Sequence, residues 1–293
     1  MHPLIRQLTA NPPVITDGAW GTQLQARGLP VGAFPDAWNL EQPDQVSAVA
    51  RAYVEAGSQV ILTNTFGSNR LRLAEAGLTH DLAELNLRGV QLSRQAAGLR
   101  AHVFASIGPT GKLLLSGDTT TDELRDVFAE QTEALAQARP DALVVETMSD
   151  LEEARLAVAA ARATGLPVVA CMVFDSGKDR DRTMMGITPE QAAKSLVDAG
   201  ADVVGANCGQ GIATFLTVCR QLRAATDYPV WIKPNAGLPE IVDHRAVYRT
   251  TPAEFAGHAR ALLAAGADFL GGCCGTTPDF IRALAADLPR KTA

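Results

Sequence analysis

The chain has 293 residues, 47% of them hydrophobic, so it can bury a substantial core as one large domain or two smaller ones. Its 26 basic and 32 acidic residues give a formal charge of -6 with no block of like charge, which argues against nucleic acid or an anionic membrane as partner. The start lacks the apolar run of a signal peptide and no stretch is apolar enough to span a membrane, so we expect a cytoplasmic protein.

Short apolar segments rich in β-branched residues recur along the chain, and each is followed by a helical pattern. They predict strands at 13–17, 59–64, 102–106, 142–146, 168–173, 202–207, 229–233 and 268–272. Apolar strands that alternate with helices are typical of a parallel sheet covered by helices. Eight such units predict a single (β/α)8 TIM barrel. No linker or shift in composition divides the chain, so we assign residues 1–293 to one domain.

The helix boundaries carry their own signals. Capping boxes are predicted where a threonine or serine precedes a glutamate or glutamine by three residues, at 149–152, 188–191 and 251–254. Glycine favours the left-handed conformation that ends a helix, and it is placed for this role at positions 57, 200 and 266.

Three connections are longer than the others, at 108–121, 174–188 and 234–251, and each follows a predicted strand. In (β/α)8 barrels the active site lies at the C-terminal end of the strands and is built from the loops that follow them. The insertions therefore fall on the face where a site is expected.

Three of the five cysteines follow predicted strands in glycine-rich surroundings. Cys208 ends the sixth strand, and Cys273 and Cys274 follow the eighth within Gly-Gly-Cys-Cys-Gly. Neighbouring side chains of a regular strand point to opposite faces, so both adjacent sulfurs can face one metal only if the glycines let the backbone bend. Alternate barrel strands contribute to a common layer, so these ends can converge. Three thiolates that leave one tetrahedral position open are typical of a catalytic Zn²⁺ site.

Other interpretations remain open from the spacing alone. The glycine pair after the eighth strand could instead cradle a phosphate, as in a sugar-binding barrel, although the adjacent thiols are then unexplained. No fourth ligand is evident, because the histidines form no His-x-His or His-x-x-x-His pair; they are His2, His80, His102, His244 and His258. Cys171, in mid-strand, and Cys219, on an apolar helix face, are interpreted as buried hydrophobic residues.

Two acidic residues lie at the ends of otherwise apolar strands on the expected active face. Asp17 ends the first predicted strand and Glu146 ends the fourth. A carboxylate in such a place needs a cationic partner or a hydrogen-bond network, so both are candidates for binding a polar substrate. The alternative is that each caps its loop or pairs with an arginine. Aspartate before glycine, as in Asp17-Gly18, is common turn chemistry.

The motifs together resemble the zinc-dependent homocysteine S-methyltransferase family, nearly from end to end. The resemblance rests on the segments 17–22 (Asp-Gly-Ala-Trp-Gly-Thr), 63–67 (Thr-Asn-Thr-Phe-Gly), 146–147 (Glu-Thr), 207–209 (Asn-Cys-Gly) and 271–275 (Gly-Gly-Cys-Cys-Gly). Within the family, Asn39-Leu40 before Pro43, with the segment 63–66, looks more like the homocysteine-binding module of cobalamin-dependent methionine synthase than like the S-methylmethionine-dependent enzymes.

The resemblance implies which residues would bind the metal and which would bind the substrate. Cys208, Cys273 and Cys274 would bind Zn²⁺, and the homocysteine sulfur would take the open position. Asp17 and Glu146 would hold the substrate ammonium, while main-chain amides near 18–20 would receive its carboxylate. The predicted substrate-binding set is Asp17, Gly18, Trp20, Thr65, Glu146 and Asn207. No side chain is predicted to be catalytic itself, since the nucleophile is the metal-activated thiolate of the substrate.

The resemblance therefore predicts an enzyme that methylates homocysteine to form methionine, and we expect direct displacement without a covalent enzyme intermediate. The chain has no room for folate and cobalamin domains and no Asp-x-His-x-x-Gly cobalamin signature, so the methyl donor should come from outside. The candidate donors are S-methylmethionine, S-adenosylmethionine, betaine and methylcobalamin on a separate corrinoid protein.

Two alternatives keep the same fold. The chain could methylate another thiol or a selenol, or it could be a module that presents homocysteine and is inactive without a partner. The apolar helices also leave room for a homodimer.

Overall fold

The computed structural model describes residues 1–242 and 245–288, and its centre is a barrel of eight parallel strands. The barrel strands are β1 (Val14–Ile15), β2 (Val60–Ile61), β3 (His102–Ile107), β4 (Ala142–Met148), β5 (Val168–Met172), β6 (Val203–Cys208), β7 (Val230–Pro234) and β10 (Phe269–Leu270). Between the last two, β8 (Glu240–Val242) and β9 (Arg245–Val247) form an antiparallel hairpin. Every predicted strand is confirmed in type and place.

The order of the strands closes the sheet on itself. Neighbouring strands follow the order β1-β10-β7-β6-β5-β4-β3-β2, and an isolated parallel bridge between Thr16 and Val60 joins the two outer strands. The barrel is thus nearly closed, and the (β/α)8 prediction is confirmed. Closure places the C-terminal ends of all these strands around one mouth.

Helices surround the barrel and also cover one of its ends. They are α1 (Pro3–Leu8), α2 (Gly21–Ala26), α3 (Trp38–Glu41), α4 (Pro43–Ala56), α5 (Arg70–Ala76), α6 (Leu82–Ala97), α7 (Thr121–Gln137), α8 (Leu151–Ala163), α9 (Pro189–Ala199), α10 (Phe215–Ala225), α11 (Pro252–Gly257), α12 (Ala259–Ala264) and α13 (Pro278–Asp287). Within the two described ranges, no helix has the length and apolar character needed to cross a membrane.

Most of the predicted helix boundaries are confirmed. Thr188 and Thr251 form capping boxes with the residues three positions later. The box predicted from Ser149 is wrong, because Asp150 is the N-cap of α8 and accepts hydrogen bonds from two amides of its first turn. Aspartate and serine are comparable N-caps, and the negative charge of Asp150 also interacts favourably with the helix dipole. The predicted terminal glycines all have left-handed backbone; they are Gly57, Gly200 and Gly266.

Alternation along the strands separates two apolar cores. Outward-facing side chains pack against the helices. Inward-facing side chains form a second core inside the barrel, which Ile5 of α1 joins. In this inner core Trp231 lies beside Phe104 and Phe269, with ring centroids 6.1 and 5.0 Å away.

The inner core is apolar in the middle of the barrel and becomes polar at the C-terminal ends of the strands. Residues two positions apart on a strand share a face, so one polar side chain follows an inward-facing residue on each of four strands. These residues are Ser106 on β3, Glu146 on β4, Asn207 on β6 and Lys233 on β7, and all four are buried. The barrel therefore presents a polar layer at its C-terminal mouth.

Candidate metal and substrate site

Three cysteines meet at the mouth of the barrel. The Sγ atoms of Cys208, Cys273 and Cys274 all lie within 4.8 Å of one another, and each residue is partly buried. Strand β7 pairs with both β6 and β10, so the cysteines converge across it as the sequence predicts. We call these three residues the thiol cluster.

The backbone leaves strand geometry on both sides of the thiol cluster. Cys208 has a φ of 68°, in the left-handed region that non-glycine residues rarely adopt, and Gly209 follows with a φ of 66°. After β10, the Thr276 amide and hydroxyl donate to the Cys273 carbonyl at 3.1 and 2.7 Å. This turn carries the two adjacent cysteines to the same side, which is the bend that the glycine-rich sequence predicts.

The donor atoms of the thiol cluster fit a soft divalent metal. The hydrogen bond with Cys208 is the largest influence on Cys273 and raises the pKa of its thiol, and burial adds to this effect. Without a cation such crowded thiols stay protonated, whereas a coordinated metal ionises them. The cluster therefore suggests a metal site, as its three convergent sulfur donors require positive charge to become thiolates.

A buried asparagine, Asn235, lies beside the thiol cluster. Asn235 donates from Nδ2 to the Gly209 carbonyl at 2.7 Å, and its side chain lies within hydrogen-bonding reach of the Cys208 thiol. Its buried Oδ1 atom has no hydrogen-bond partner in the described part of the chain. An unpartnered buried oxygen is costly, so this atom is suited to a ligand or to a metal. The sequence predicts no fourth donor and gives no indication that this asparagine lies at the site.

Glu146 and Asn207 connect the polar layer to the thiol cluster. Glu146 accepts a hydrogen bond from the Ser106 hydroxyl at 2.5 Å and another from Asn207 Nδ2 at 3.3 Å. The same Nδ2 atom lies 2.7 Å from the Thr147 hydroxyl and 3.8 Å from Cys273 Sγ. The amide of Asn207 thus holds the carboxylate at a fixed separation from the cluster.

Asp17 is fully buried at the end of β1, and both of its oxygens are engaged. Oδ2 accepts hydrogen bonds from the Leu62 amide at 2.7 Å and from Trp20 Nε1 at 2.8 Å. Oδ1 accepts a short hydrogen bond from the ammonium group of Lys233. The structure therefore brings together Asp17 and Trp20, two of the residues predicted to bind substrate, and adds a lysine that was not assigned to the site.

Lys233 is the cationic partner that a buried carboxylate requires. Burial alone would lower the pKa of Lys233, but the carboxylates of Asp17 and Glu146 outweigh it and raise the pKa above its usual value. Burial raises the pKa of Glu146, and Lys233 opposes that rise. A signal was present in the sequence, because a lysine ends the otherwise apolar seventh strand and lies level with two candidate carboxylates.

The turn after β1 is held in place by hydrogen bonds with Tyr53 and Thr276. Tyr53 donates to the Ala19 carbonyl at 2.6 Å, and the Ala19 amide lies 3.2 Å from the Thr276 hydroxyl. A Cβ atom on Gly18 would lie 2.8 Å from the Tyr53 hydroxyl, so only glycine fits there. The amides of Gly18 and Trp20 have no hydrogen-bond partner among the residues that the structure describes.

Thr65 supports the site from the loop after β2. Its hydroxyl donates to the Ser106 carbonyl at 2.7 Å and lies 2.6 Å from the Thr63 hydroxyl, and its own carbonyl accepts from Gln131 at 2.9 Å. Because Ser106 donates to Glu146, Thr65 is placed to orient that carboxylate through its neighbour.

Tyr248, after β9, borders the thiol cluster and was also missed from the sequence. Its ring lies directly on Gly275, where a Cβ atom would approach the ring to 2.3 Å. Burial raises the pKa of Tyr248 to about 12, and the neighbouring cysteines add to the effect. The long connection after β7 gives no periodic signal that would place this ring.

The other cysteines and the histidines lie outside the cluster. Cys171 is buried in β5 and Cys219 is buried in α10, where its thiol lies 3.7 Å from the Leu262 carbonyl. Their interpretation as buried residues is confirmed. No histidine in 1–242 or 245–288 joins the thiol cluster, and His244 lies outside the described residues.

A buried carboxylate fixes the loop that carries Thr65. Asp36 accepts hydrogen bonds through one oxygen, Oδ2, from the Gly67 amide at 2.8 Å and the Ser68 hydroxyl at 2.7 Å. Burial raises the pKa of Asp36 to about 7, although these hydrogen bonds and Arg72 oppose the rise. The folded chain therefore holds this proton more tightly than the unfolded chain, so the stability falls as the pH rises from about 4 to about 7.

Asp36→Asn should keep an oxygen acceptor for both hydrogen bonds and remove the cost of ionisation. We expect the variant to exceed the wild type in free energy of unfolding at pH 8, by at most about 4 kcal/mol, and to show no gain at pH 4. Urea unfolding at both pH values measures this. Asp36→Ala, which loses both hydrogen bonds, is the control and should be less stable than Asp36→Asn throughout. Equal differences at pH 4 and pH 8 would contradict the raised pKa.

Fold and site together define a class of protein, a (β/α)8 barrel whose strand ends bring three thiols and a buried acidic pair to one mouth. Residues 14–288 match the family model described as Homocysteine S-methyltransferase. The chain belongs to this family of methyltransferases, and the resemblance found in its motifs is confirmed.

Three named relatives support the assignment to this family. The chain is 31% identical over 293 residues to methionine synthase of Mycobacterium leprae (strain TN) and 32% identical over 292 residues to methionine synthase of Mycobacterium tuberculosis. These alignments cover 94% and 93% of the chain but 24% of each enzyme, so the chain spans about a quarter of their length. Betaine–homocysteine S-methyltransferase 1 of Danio rerio is 29% identical over 306 residues, covering 97% of the chain and 75% of that protein.

Solved structures show the same barrel. The metallated form of the homocysteine methyltransferase MmuM from Escherichia coli superposes with a TM-score of 0.82 at 24% identity, covering 97% of this chain and 99% of that one. Its oxidised form gives 0.81 at the same identity. These matches confirm the fold.

Proposed function

We propose that residues 1–293 form a zinc-dependent homocysteine S-methyltransferase domain, which methylates the sulfur of homocysteine to give methionine. The observation that carries the proposal is the convergence of three thiols within 4.8 Å at the barrel mouth. It is supported by the buried carboxylates beside them and by the match to the family over residues 14–288.

Cys208, Cys273 and Cys274 would hold the metal. Three thiolates are a donor set that zinc prefers, and zinc has no redox chemistry that would oxidise them. When bound, zinc supplies the positive charge that removes the proton from the substrate thiol, which is mostly protonated when free at neutral pH. The homocysteine sulfur would take the remaining donor position, and the side chain of Asn235 lies beside Cys208.

The polar layer would bind the amino-acid end of homocysteine. The acidic pair Asp17 and Glu146 supplies negative charge for the ammonium group. The amides of Gly18 and Trp20 supply donors for the carboxylate, and their lack of other partners supports this role. Asn207 contacts both Glu146 and Cys273, so it would set the distance between the amino-acid end and the sulfur. Such fixed positioning of a nucleophile contributes much of the rate enhancement in bimolecular transfers.

The methyl donor would enter from the open side of the mouth. Our first candidate is methylcobalamin on a corrinoid protein, because the chain is similar to about a quarter of two methionine synthases. The remaining parts of such an enzyme would then lie outside these 293 residues. Betaine is a second candidate, supported by the similarity to a betaine–homocysteine S-methyltransferase, and the sulfonium donors S-methylmethionine and S-adenosylmethionine complete the set.

The test combines metal analysis with an assay of methionine formation. Purified protein should contain about one zinc per chain. It is then given homocysteine with methylcobalamin, betaine, S-methylmethionine and S-adenosylmethionine in turn. Turnover with methylcobalamin would support a role as one module of a methionine synthase, and turnover with a small donor would support a self-sufficient enzyme. A zinc-free protein that binds no homocysteine would refute the proposal, whereas methylation of other thiols or of selenols at equal rates would refute its substrate.

A further inference from the structure

Lys233 places a permanent positive charge inside the proposed substrate pocket. Its side chain is 2% exposed and extends from β7 past the Trp231 ring, with Nζ 5.9 Å from the ring centroid, to the carboxylate of Asp17. A lysine at this depth is stable only when its charge is paired. The pair therefore belongs to the permanent structure of the pocket.

The two carboxylates of the pocket differ in how they are partnered. Asp17 forms an ion pair with Lys233 through one oxygen and accepts two neutral donors on the other. Glu146 accepts hydrogen bonds from neutral donors, the Ser106 hydroxyl and the Asn207 amide. Among the described residues no cationic nitrogen lies within 4.0 Å of its carboxylate. Asp17 is thus neutralised by a direct ion pair, whereas Glu146 has no ion-pair partner of its own among the described residues and interacts with Lys233 only from farther away.

The charge balance of the pocket follows from these contacts. Two carboxylates and one ammonium group leave one net negative charge, which an α-amino acid can match with its single ammonium group. We propose that Lys233 is a positioning residue that neutralises and fixes Asp17, so that Glu146 is the carboxylate that pairs directly with the substrate ammonium. This inference rests on the proposed function and gives the two acidic residues unequal roles.

Lys233 also stabilises the turn whose amides would bind the carboxylate of the substrate. Through its ion pair, Lys233 fixes the Asp17 carboxylate that accepts hydrogen bonds from the Trp20 indole and the Leu62 amide. Without the lysine, two buried carboxylates would repel each other in the pocket with no cation between them. The turn that carries the unpartnered amides of Gly18 and Trp20 would then lose its anchor.

Stepwise removal of the two charges of the pair provides the test. Asp17→Asn leaves Lys233 without its partner, so the lysine cancels the charge of Glu146. We expect the dissociation constant for homocysteine, measured by titration calorimetry on metal-loaded protein, to rise at least about 30-fold. Adding Lys233→Met restores one net negative charge, and the double variant should return to within about fivefold of the wild type, since a buried ion pair can be replaced by neutral groups at little cost.

A second readout separates this role from a purely structural one. The wild type should prefer homocysteine strongly over 4-mercaptobutanoate, which has the thiol and carboxylate but no ammonium group. In Asp17→Asn this preference should shrink at least about tenfold, because the pocket no longer has a net charge to match. Metal content should change little in either variant, because neither substitution touches the thiol cluster, and the loss should appear in the dissociation constant for homocysteine.

The outcomes are distinct. A double variant that binds homocysteine no better than Asp17→Asn, with the barrel folded by thermal unfolding, would show that Asp17 itself binds the ammonium and would overturn the inference. If the double variant does not fold, an unchanged preference over 4-mercaptobutanoate in Asp17→Asn would overturn it equally. In both cases a wild type that methylates homocysteine leaves the proposed function intact. A wild type that does not bind homocysteine would refute both the proposed function and the inference about Lys233.

Discussion

Cys273→Ser should release the metal and abolish methyl transfer while the barrel stays folded. Cys273 lies in a turn beyond β10 and contributes one of three sulfur donors within 4.8 Å. A serine hydroxyl is a poor ligand because it stays protonated, whereas the thiolate is the form that binds zinc. Loss of an outer-shell partner alone lowers metal affinity about 10- to 100-fold, so loss of a ligand should lower it further.

We expect at least about a hundredfold fall in kcat/KM, equivalent to about 2.7 kcal/mol of transition-state stabilisation. Metal analysis after dialysis measures the first effect, and the methionine assay with the active donor measures the second. Cys219→Ala is the matched control, since this cysteine is buried in α10 and has no part in the thiol cluster. It should keep the metal and the activity. Full metal content and full activity in Cys273→Ser would contradict the metal assignment.

Glu146→Gln should weaken homocysteine binding and leave the metal in place. The amide has nearly the same shape and can still accept a hydrogen bond from Ser106, but it lacks the negative charge that would face the substrate ammonium. Truncating one partner of a buried, hydrogen-bonded charge pair costs about 2 to 5 kcal/mol. The dissociation constant for homocysteine should therefore rise at least about 30-fold.

Glu153→Gln is the matched control for this prediction. Glu153 is also a buried glutamate, but it accepts its hydrogen bonds from the Thr110 amide and hydroxyl, at 2.8 and 2.6 Å, away from the cluster. Its replacement should leave homocysteine affinity unchanged. Titration calorimetry on both metal-loaded variants makes the comparison. An unchanged affinity in Glu146→Gln, or an equal loss in both variants, would refute an ammonium-binding role for Glu146.

Much of the fold was readable because its signals are local. Each strand is an apolar run between helical patterns, and the helix starts at Thr188 and Thr251 carry their capping partners three residues away. The error at Ser149 arose between two adjacent residues that can both cap, where the carboxylate of Asp150 prevailed. The thiol cluster was also readable, because the glycines around it indicate a backbone that must bend.

The contacts between strands were harder to predict. Lys233, Ser106 and Thr65 lie far apart in the sequence, and each alone looks like the end of a strand or a loop residue. Their relation to Glu146 and Asp17 depends on strand register, which places Lys233 level with Asn207. A shift of one residue would turn each of these side chains to the other face of its strand.

The sequence by itself determined the eight βα units, the three metal-ligand candidates and the two acidic residues at the mouth, because periodicity and glycine spacing are properties of short segments. Only the tertiary structure decided which charges meet. Barrel closure brings the ammonium group of Lys233 to Asp17 while leaving Glu146 to neutral donors. Pairing between buried charges depends on distances of a few ångströms across the barrel, and these distances are set by closure and register, which no single segment encodes.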